Sequence, residues 1–232
     1  MSASRRLKVE SNRAVSLGNE LFARGQYGKA MKEFNRALKA NPKNAVAWNN
    51  RGIILWRAGK HLESIQCFNK AIKIHPNYSD AWMNKGLALS KIAKYQRAMR
   101  CYDRAMEIDP NHEIAWNNKG NMLARRGKYN EALKCFDKAL DIDSEYVAAW
   151  NNRGATLLKV GKYHEALRCF NRVLRRRPNF AEVWLQKGRA LMQLGRPRHA
   201  IICFEKALYY RETYPAAERA LKEAIEAKEA VE

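Results

Sequence analysis

The stretch Ala47–Gly52 reads AWNNRG, and the chain repeats this stretch at a fixed distance. Each copy starts 34 residues after the last: AWMNKG at Ala81–Gly86, AWNNKG at Ala115–Gly120, AWNNRG at Ala149–Gly154 and, less closely, VWLQKG at Val183–Gly188. A constant period of this length is typical of a repeat protein, in which every unit is one supersecondary motif. The period therefore predicts the fold before any single segment is considered.

Other positions keep the same period when the units are counted from Ser11. Position 8 is glycine in every unit (Gly18, Gly52, Gly86, Gly120, Gly154, Gly188), and position 24 is aromatic (Phe34, Phe68, Tyr102, Phe136, Phe170, Phe204). Apolar residues follow helical spacing on both sides of a turn glycine such as Gly59, which can end a helix in the left-handed conformation. Each unit is therefore predicted to be helix A, a tight turn and helix B, and the pairs must stack to bury their apolar faces.

The pattern of Trp, Gly, Ala, Phe and Pro resembles the tetratricopeptide repeat (TPR). The resemblance implies an all-α, right-handed superhelical α-solenoid of helix-turn-helix repeats. Its boundaries would be an N-terminal arm at 1–10, repeats at 11–44, 45–78, 79–112, 113–146, 147–180 and 181–214, and a capping helix at 215–232. We expect the arm to be disordered or loosely packed, and we expect Leu221 and Ile225 to form the apolar stripe of the cap. The chain departs from the family pattern at position 7, which holds a cation, and at Ala14, where the family has Trp.

The composition points to acidic partners and away from cofactors. Lys and Arg outnumber Asp and Glu by 44 to 23, a net charge of +21, which favours acidic proteins, nucleic acid or anionic surfaces as partners. Five cysteines follow the repeat period without close pairs, so we interpret them as small buried side chains in a reducing compartment. With no secretory signal and no apolar run of membrane-spanning length, we expect a cytoplasmic protein.

Catalytic and metal-binding motifs are missing from the sequence. The five histidines are scattered without metal-ligand spacing, and neither GxSxG nor a complete phosphate-binding GxxxxGK[ST] occurs. We expect no enzyme activity, no metal and no cofactor.

The resemblance implies that positions 2, 5, 6, 9, 12 and 13 of helix A face a concave groove. Amides fill several of these positions: Asn50, Asn84, Asn118 and Asn152 at position 6, Asn49, Asn117 and Asn151 at position 5, and Asn19 and Asn121 at position 9. Cations occupy position 13, as Arg57, Lys91, Arg125 and Lys159. The groove is thus predicted to carry one row of amides and one row of positive charges.

This arrangement fits an extended, acidic peptide. Amides donate and accept hydrogen bonds and can pair with a peptide backbone, while the cations attract carboxylates. The alternative is structural: the asparagines are solvated or bridge adjacent helices. Because asparagine costs roughly half a kcal/mol of helix propensity against alanine, we expect alanine at position 6 to leave folding intact or strengthen it slightly.

An aromatic pair adds a candidate anchor pocket. Trp56 stands at position 12, and Phe22 holds the same position in the preceding repeat. With Arg57 and Asn50 beside them they could anchor a partner, since Trp and Arg dominate binding energy at interfaces. The alternative is that Trp56 packs against a neighbouring side chain of its own chain.

Basic residues also recur outside the predicted groove. Position 26, on helix B, is Arg36, Lys70, Arg104, Lys138, Arg172 and Lys206, and RRRP follows at Arg175–Pro178. These rings favour nucleic-acid binding as the alternative function. We interpret the position-7 cations as structural, with buried stems and exposed heads.

The sequence thus predicts a protein- or peptide-binding scaffold or adaptor, which we expect to be a monomer, and does not identify its partner. Nucleic-acid binding is the alternative, and a near-consensus or engineered repeat protein without a dedicated ligand is the third interpretation.

Overall fold

The computed structural model describes residues 3–230, which form thirteen α-helices and no β-strand. The helices are α1 (Ala3–Ala23), α2 (Tyr27–Ala40), α3 (Ala45–Arg57), α4 (His61–Ile74), α5 (Ser79–Lys91), α6 (Tyr95–Ile108), α7 (Glu113–Arg125), α8 (Tyr129–Ile142), α9 (Val147–Lys159), α10 (Tyr163–Arg176), α11 (Ala181–Gln193), α12 (Pro197–Tyr210) and α13 (Pro215–Glu229). The chain divides into two compact units, Met1–Ala115 and Trp116–Glu232. None of the helices described is long and apolar enough to cross a membrane.

In the first unit, helices pack in sequential pairs. Helix α1 packs on α2, α3 on α4 and α5 on α6, and the B helices α2 and α4 also contact the A helices that follow them, α3 and α5. The close approach within a pair depends on the position-8 glycine: a Cβ added to Gly52 would lie 2.6 Å from Cε1 of Phe68. Phe68 is 1% exposed, so glycine and aromatic ring together fill the space between the two backbones.

The second unit uses the same packing. Helix α9 packs on α10 and α11 on α12, and α13 closes the series against α12. The core of this unit is built on the position-24 rings of Phe136, Phe170 and Phe204, each at most 1% exposed. The predicted all-α helix-turn-helix fold is therefore confirmed in both units.

The turn between the helices of a repeat needs one residue in the left-handed conformation. Gly59 supplies it in the second repeat with φ of 77°. In the third repeat Ala93 holds the corresponding place with φ of 58°, although alanine is disfavoured there by its Cβ. The repeat fold imposes this turn even where the sequence lacks the glycine.

The part of the predicted N-terminal arm that the structure describes is helical, and its side chains from Arg5 to Val9 are exposed. Helix α1 begins at Ala3 and runs without interruption into the first repeat. The repeat period carries no information about residues before Ser11, but straight-chained residues such as Arg5 and Lys8 favour helix. Glu10 extends the contacts of α1 through an ion pair with Arg36 at 3.3 Å. Met1 and Ser2, the rest of the predicted arm, lie outside the described residues.

The helix at the C-terminus begins at Pro215, a residue suited to a first helical turn. Of the two residues predicted to form its apolar stripe, Leu221 packs against the core and Ile225 does not. Ala217, Ala220 and Ala224 are buried against α12, whereas Ile225 is 41% exposed. Small side chains allow α13 to lie close to α12. The helix is rotated so that its alanines face α12, and Ile225 therefore faces solvent. Val231 and Glu232, the last residues of the predicted cap, lie outside the described residues.

Candidate functional site

The asparagines of the first unit form a hydrogen-bonded network across three A helices. Asn84 on α5 donates from Nδ2 to Asn49 Oδ1 at 3.0 Å, and Asn49 donates to Asn50 Oδ1 at 3.1 Å. Asn50 donates in turn to Asn19 Oδ1 on α1 at 2.7 Å. These four residues, the amide network, connect each A helix of the unit to the next.

The second unit repeats the central contact of this network. Asn152 on α9 donates from Nδ2 to Asn117 Oδ1 on α7 at 3.0 Å, in the same register as Asn84 and Asn49. Asn118 is half-buried and Asn121 is exposed, both on α7. The recurrence in both units shows that positions 5 and 6 form one bridging motif.

The burial of position 5 corrects the sequence-based assignment. Asn49 is 3% and Asn117 5% exposed, and Asn151 is half-buried, so position 5 lies between helices and not on an open surface. Position 6 keeps partial exposure at Asn50, Asn84 and Asn152. An asparagine amide has two donor hydrogens and an acceptor oxygen, so one bridging bond leaves hydrogen-bonding capacity for a ligand.

The cations at position 13 stand at the last turn of their A helices. Arg57, Lys91, Arg125 and Lys159 are all exposed. A positive side chain is favoured there because the carbonyl end of a helix carries partial negative charge. Position 13 therefore places charge at the surface.

Arg57 is held in one orientation by two aromatic rings of the preceding repeat. Its Nη1 donates to the Tyr27 hydroxyl at 2.8 Å. Its Cζ lies 5.2 Å from the ring centroids of both Phe22 and Tyr27, within the range of a cation–π contact. The two rings pack edge to face with centroids 5.2 Å apart. We call Phe22, Tyr27 and Arg57 the arginine platform.

Tyr27 was missed from the sequence, although its position carries a signal. Tyr27, Tyr95, Tyr129 and Tyr163 all stand at position 17, the first residue of helix B. In the second unit Tyr163 donates to Gln193 Oε1 at 3.3 Å, which again joins position 17 to position 13 of the next repeat. A tyrosine that recurs 30 residues before a recurring polar position could have suggested this pairing.

The predicted pocket of Trp56, Phe22, Arg57 and Asn50 does not form as one cluster. Arg57 packs on Phe22 and Tyr27, whereas Trp56 packs on His61 of its own repeat, with ring centroids 6.5 Å apart. Residues 56 and 57 project in different directions because successive helical residues are separated by about 100°. Trp56 Nε1 and His61 Nδ1 are both shielded from solvent and lack a hydrogen-bond partner in the part of the chain described.

The tryptophan rings at position 4 make cation–π contacts with cations at positions 7 and 26. The Trp48 ring lies between Arg51 and Lys70, at 5.3 and 4.1 Å from its centroid, and its Nε1 donates to the Pro42 carbonyl at 2.9 Å. The same arrangement recurs with Lys187 and Lys206 at 5.0 and 4.5 Å from Trp184. Charges at positions 7 and 26 are thus partly engaged within the chain.

The cysteines are structural. All five are buried thiols. Burial raises the pKa of the Cys67, Cys101, Cys169 and Cys203 thiols, which keeps them protonated and unreactive. Residues 3–230 contain no group of three or more His, Cys, Asp or Glu side chains placed to hold a metal ion.

Sequence comparison identifies the repeats directly. Family profiles described as tetratricopeptide repeat match residues 15–79, 79–112, 112–179 and 151–209. The chain belongs to the tetratricopeptide repeat family. A comparison with curated proteins found no significant match.

Solved structures share the fold at low sequence identity. PilW, a type IV pilus biogenesis factor, has a TM-score of 0.81 and 24% identity over 91% of this chain and 98% of its own. The Cut9–Hcn1 hetero-tetramer of APC/C has a TM-score of 0.83 and 17% identity over 95% of this chain, which spans 46% of that chain. YrrB, described as a TPR protein with an unusual peptide-binding site, has a TM-score of 0.65 and 19% identity, over 82% of this chain and 97% of its own.

Proposed function

We propose that this protein is a non-catalytic scaffold that binds an extended, acidic segment of another protein along its A helices. The arginine platform carries the proposal. Arg57 is exposed, yet its guanidinium is held by the Tyr27 hydroxyl and the Phe22 ring. A preorganised charge loses little conformational freedom on binding, so more of the interaction energy appears as affinity.

The amide network supports the backbone half of this interaction. Asn50 and Asn84 are half-buried and already oriented by Asn19 and Asn49. Packed helices lie about 8–10 Å apart, a distance that about three residues of extended chain span. Acidic residues at about three-residue intervals would therefore match successive position-13 cations, such as Arg57 and Lys91.

Trp56 supports a specific anchor near these groups. Its indole Nε1 is a shielded donor without a partner in the described residues, and a buried unpaired donor is costly. A carbonyl or carboxylate oxygen of a bound segment would satisfy it once the side chains that cover Nε1 move aside. This contribution is separate from the arginine platform, because Trp56 packs on His61.

The solved relatives and the composition agree with this function. A TPR protein with a peptide-binding site has the same fold as this chain, and a net charge of +21 favours an acidic partner. Five buried thiols fit a reducing compartment, which supports a cytoplasmic scaffold. We propose that the scaffold acts as a monomer.

Nucleic-acid binding through the position-26 cations is the weaker alternative. Lys70, Arg172 and Lys206 each stack on a tryptophan of their own repeat. A phosphate backbone would have to share these charges with the indole rings. Nucleic-acid binding should therefore be weak, non-specific and steeply dependent on salt concentration.

The test is calorimetry with an unstructured peptide that carries glutamate at every third residue. The same peptide with glutamine at those positions is the ligand control. We expect Arg57→Ala to weaken binding of the acidic peptide by about 1 kcal/mol or more, about fivefold. The matched protein control is Lys73→Ala, which removes an exposed cation from the last turn of a B helix. An equal loss of affinity for Arg57→Ala and Lys73→Ala would mean that the peptide responds only to the net charge of the protein, and it would refute the site.

A further inference from the structure

Helix α10 carries an arginine cluster that the proposed function leaves unused. Arg175 and Arg176 follow Arg172 by three and four residues, so both lie near it on one side of the helix, and all three are exposed. The two residues equivalent to 175 and 176 in the other repeats are Lys39 and Ala40, Lys73 and Ile74, Glu107 and Ile108, Asp141 and Ile142, and Tyr209 and Tyr210. The cluster is therefore specific to the fifth repeat and is not a product of the repeat pattern.

The three arginines surround a cavity of about 180 Å³. Glu145 lines the same cavity, and the side chains of Val147 and Trp150 contribute apolar surface to it. The Trp150 ring supports Arg172, whose Cζ lies 5.2 Å from the ring centroid. The site thus combines a preformed hollow, a fixed guanidinium and a surface from which water is partly excluded.

An internal carboxylate marks where an anion binds in this cavity. Glu145 Oε1 accepts from Arg172 Nη1 at 3.5 Å, and its Oε2 accepts from Arg176 Nη2. Arg175 pairs with no acidic side chain in the described part of the chain. Three guanidinium groups against one carboxylate leave two positive charges in the cavity.

This excess charge selects the class of ligand. A carboxylate carries one negative charge, and Glu145 already supplies one. A phosphate monoester carries about −1.5 to −2 charges at neutral pH and has three acceptor oxygens. Arginine forks bind such oxygens in pairs. The residual charge and the arginine geometry therefore match a phosphate monoester better than a second carboxylate.

The surroundings favour an isolated phosphate over a nucleic-acid backbone. A second cavity of about 510 Å³ shares Trp150 and Arg172 with the first, and it is lined by Asp137, Asp141 and Glu165 together with three arginines. These three carboxylates balance the three arginines, so this cavity offers no net positive charge to a phosphodiester chain that continued along α10. A single phosphate on a side chain does not need such a continued row of cations.

We propose that Arg172, Arg175 and Arg176 bind a phosphorylated side chain of a partner protein. Glu145 fills part of this site when it is empty. That the phosphate belongs to a protein rests on the proposed scaffold function, whereas the phosphate site itself does not. The site would make recruitment of a partner dependent on its phosphorylation, in addition to any contacts along the A helices.

The test is calorimetry of the full chain, at physiological salt, with a Gly/Ser peptide containing one phosphoserine and with its unphosphorylated form. We expect binding of the phosphorylated form only, and Arg176→Ala should weaken it about tenfold or more. Arg176→Lys keeps the positive charge but lacks the forked guanidinium, so its affinity should lie between those of the wild type and Arg176→Ala. Glu145→Gln should tighten binding, because it removes the competing carboxylate. Thermal melts of every variant separate loss of binding from loss of folding.

The matched control is Arg104→Ala, which removes an exposed cation at the equivalent of Arg172 in the third repeat. It should leave binding unchanged, and a loss equal to that of Arg176→Ala would overturn the site. Absence of phosphate-dependent binding in both the wild type and Glu145→Gln would do the same. If a 5′-phosphorylated oligonucleotide bound more tightly than the phosphoserine peptide, with the same dependence on the arginines, the phosphate would not belong to a protein and that part of the proposal would be overturned. None of these results bears on Arg57 and the unphosphorylated acidic peptide, so the proposed function is tested separately.

Discussion

Asn84 donates a side-chain hydrogen bond to Asn49 at 3.0 Å, and Asn49 is only 3% exposed. The pair joins α3 and α5, the A helices of adjacent repeats. Buried amides without partners are rare because the lost hydrogen bonds to water are not replaced. The pair is therefore part of the interface between repeats, whatever else Asn84 binds.

Asn49→Ala should destabilise the first unit. It leaves the Asn84 amide without its acceptor, and the expected loss is about 1–2 kcal/mol in urea unfolding. The control Asn35→Ala, at an exposed position of α2, should gain roughly 0.5 kcal/mol from helix propensity alone. The sequence led us to expect that alanine in place of the position-6 asparagines leaves folding intact. The hydrogen bond from Asn84 to Asn49 indicates instead that such a substitution lowers stability. A gain in stability for Asn49→Ala would restore that expectation.

Ala93→Gly should stabilise the chain. Left-handed backbone costs an alanine about 1–2 kcal/mol. Glycine avoids this cost but lowers stability by about 0.4–1 kcal/mol, because it raises the conformational entropy of the unfolded chain. The net gain is up to about 1 kcal/mol in thermal or urea unfolding. Ala58→Gly is the control, because Ala58 has φ of −78° and gains nothing from glycine, so that it should be destabilised. If both variants lose stability equally, the turn at Ala93 is not strained.

Gly52→Ala should destabilise the second repeat by about 1–3 kcal/mol, the usual cost of overpacking. The new Cβ would meet Phe68 at 2.6 Å, and that ring is fully enclosed. Gly28→Ala is the control, since a Cβ there meets nothing within 4 Å, and it should be neutral or stabilising. Because repeats couple mainly to their neighbours, hydrogen exchange should accelerate around α3 and α4 first. Uniform acceleration along the chain would contradict this.

The fold was predictable because its decisive contacts recur with the repeat period. The glycine at position 8 and the ring at position 24, for example Gly52 and Phe68, meet within a pair, and both were visible in the sequence. Features outside the period were not predictable. The helix from Ala3 precedes the first repeat, and the burial of Ala220 in place of Ile225 depends on the rotation of α13 about its axis.

The site was predicted in part. The exposure of Arg57 and Lys91 followed from their place in helix A. The burial of Asn49 did not, because a helix rotation of a few tens of degrees decides whether position 5 faces a neighbour or solvent. The contact of Tyr27 with Arg57 could not be predicted from the repeat period, because it joins two different positions of adjacent repeats.

Asp80→Asn should lower stability at neutral pH more than in acid. His112 Nε2 lies 3.3 Å from Asp80 Oδ1, and this polar contact of a buried imidazole holds the pKa of Asp80 below its usual value. A lowered pKa in the folded state means that the stabilisation is complete above the unfolded pKa of about 3.9 and is lost as the pH falls through the folded value. Because Asp80 is largely exposed, the effect at pH 7 should be about 1 kcal/mol or less.

The measurement is urea unfolding of wild type and variant at about pH 7 and about pH 2. Asp109→Asn, which keeps an oxygen for the Asn111 amide, is the control and should show a smaller change with pH. The same loss for Asp80→Asn at both pH values would mean that the charge of Asp80 contributes nothing to the contact.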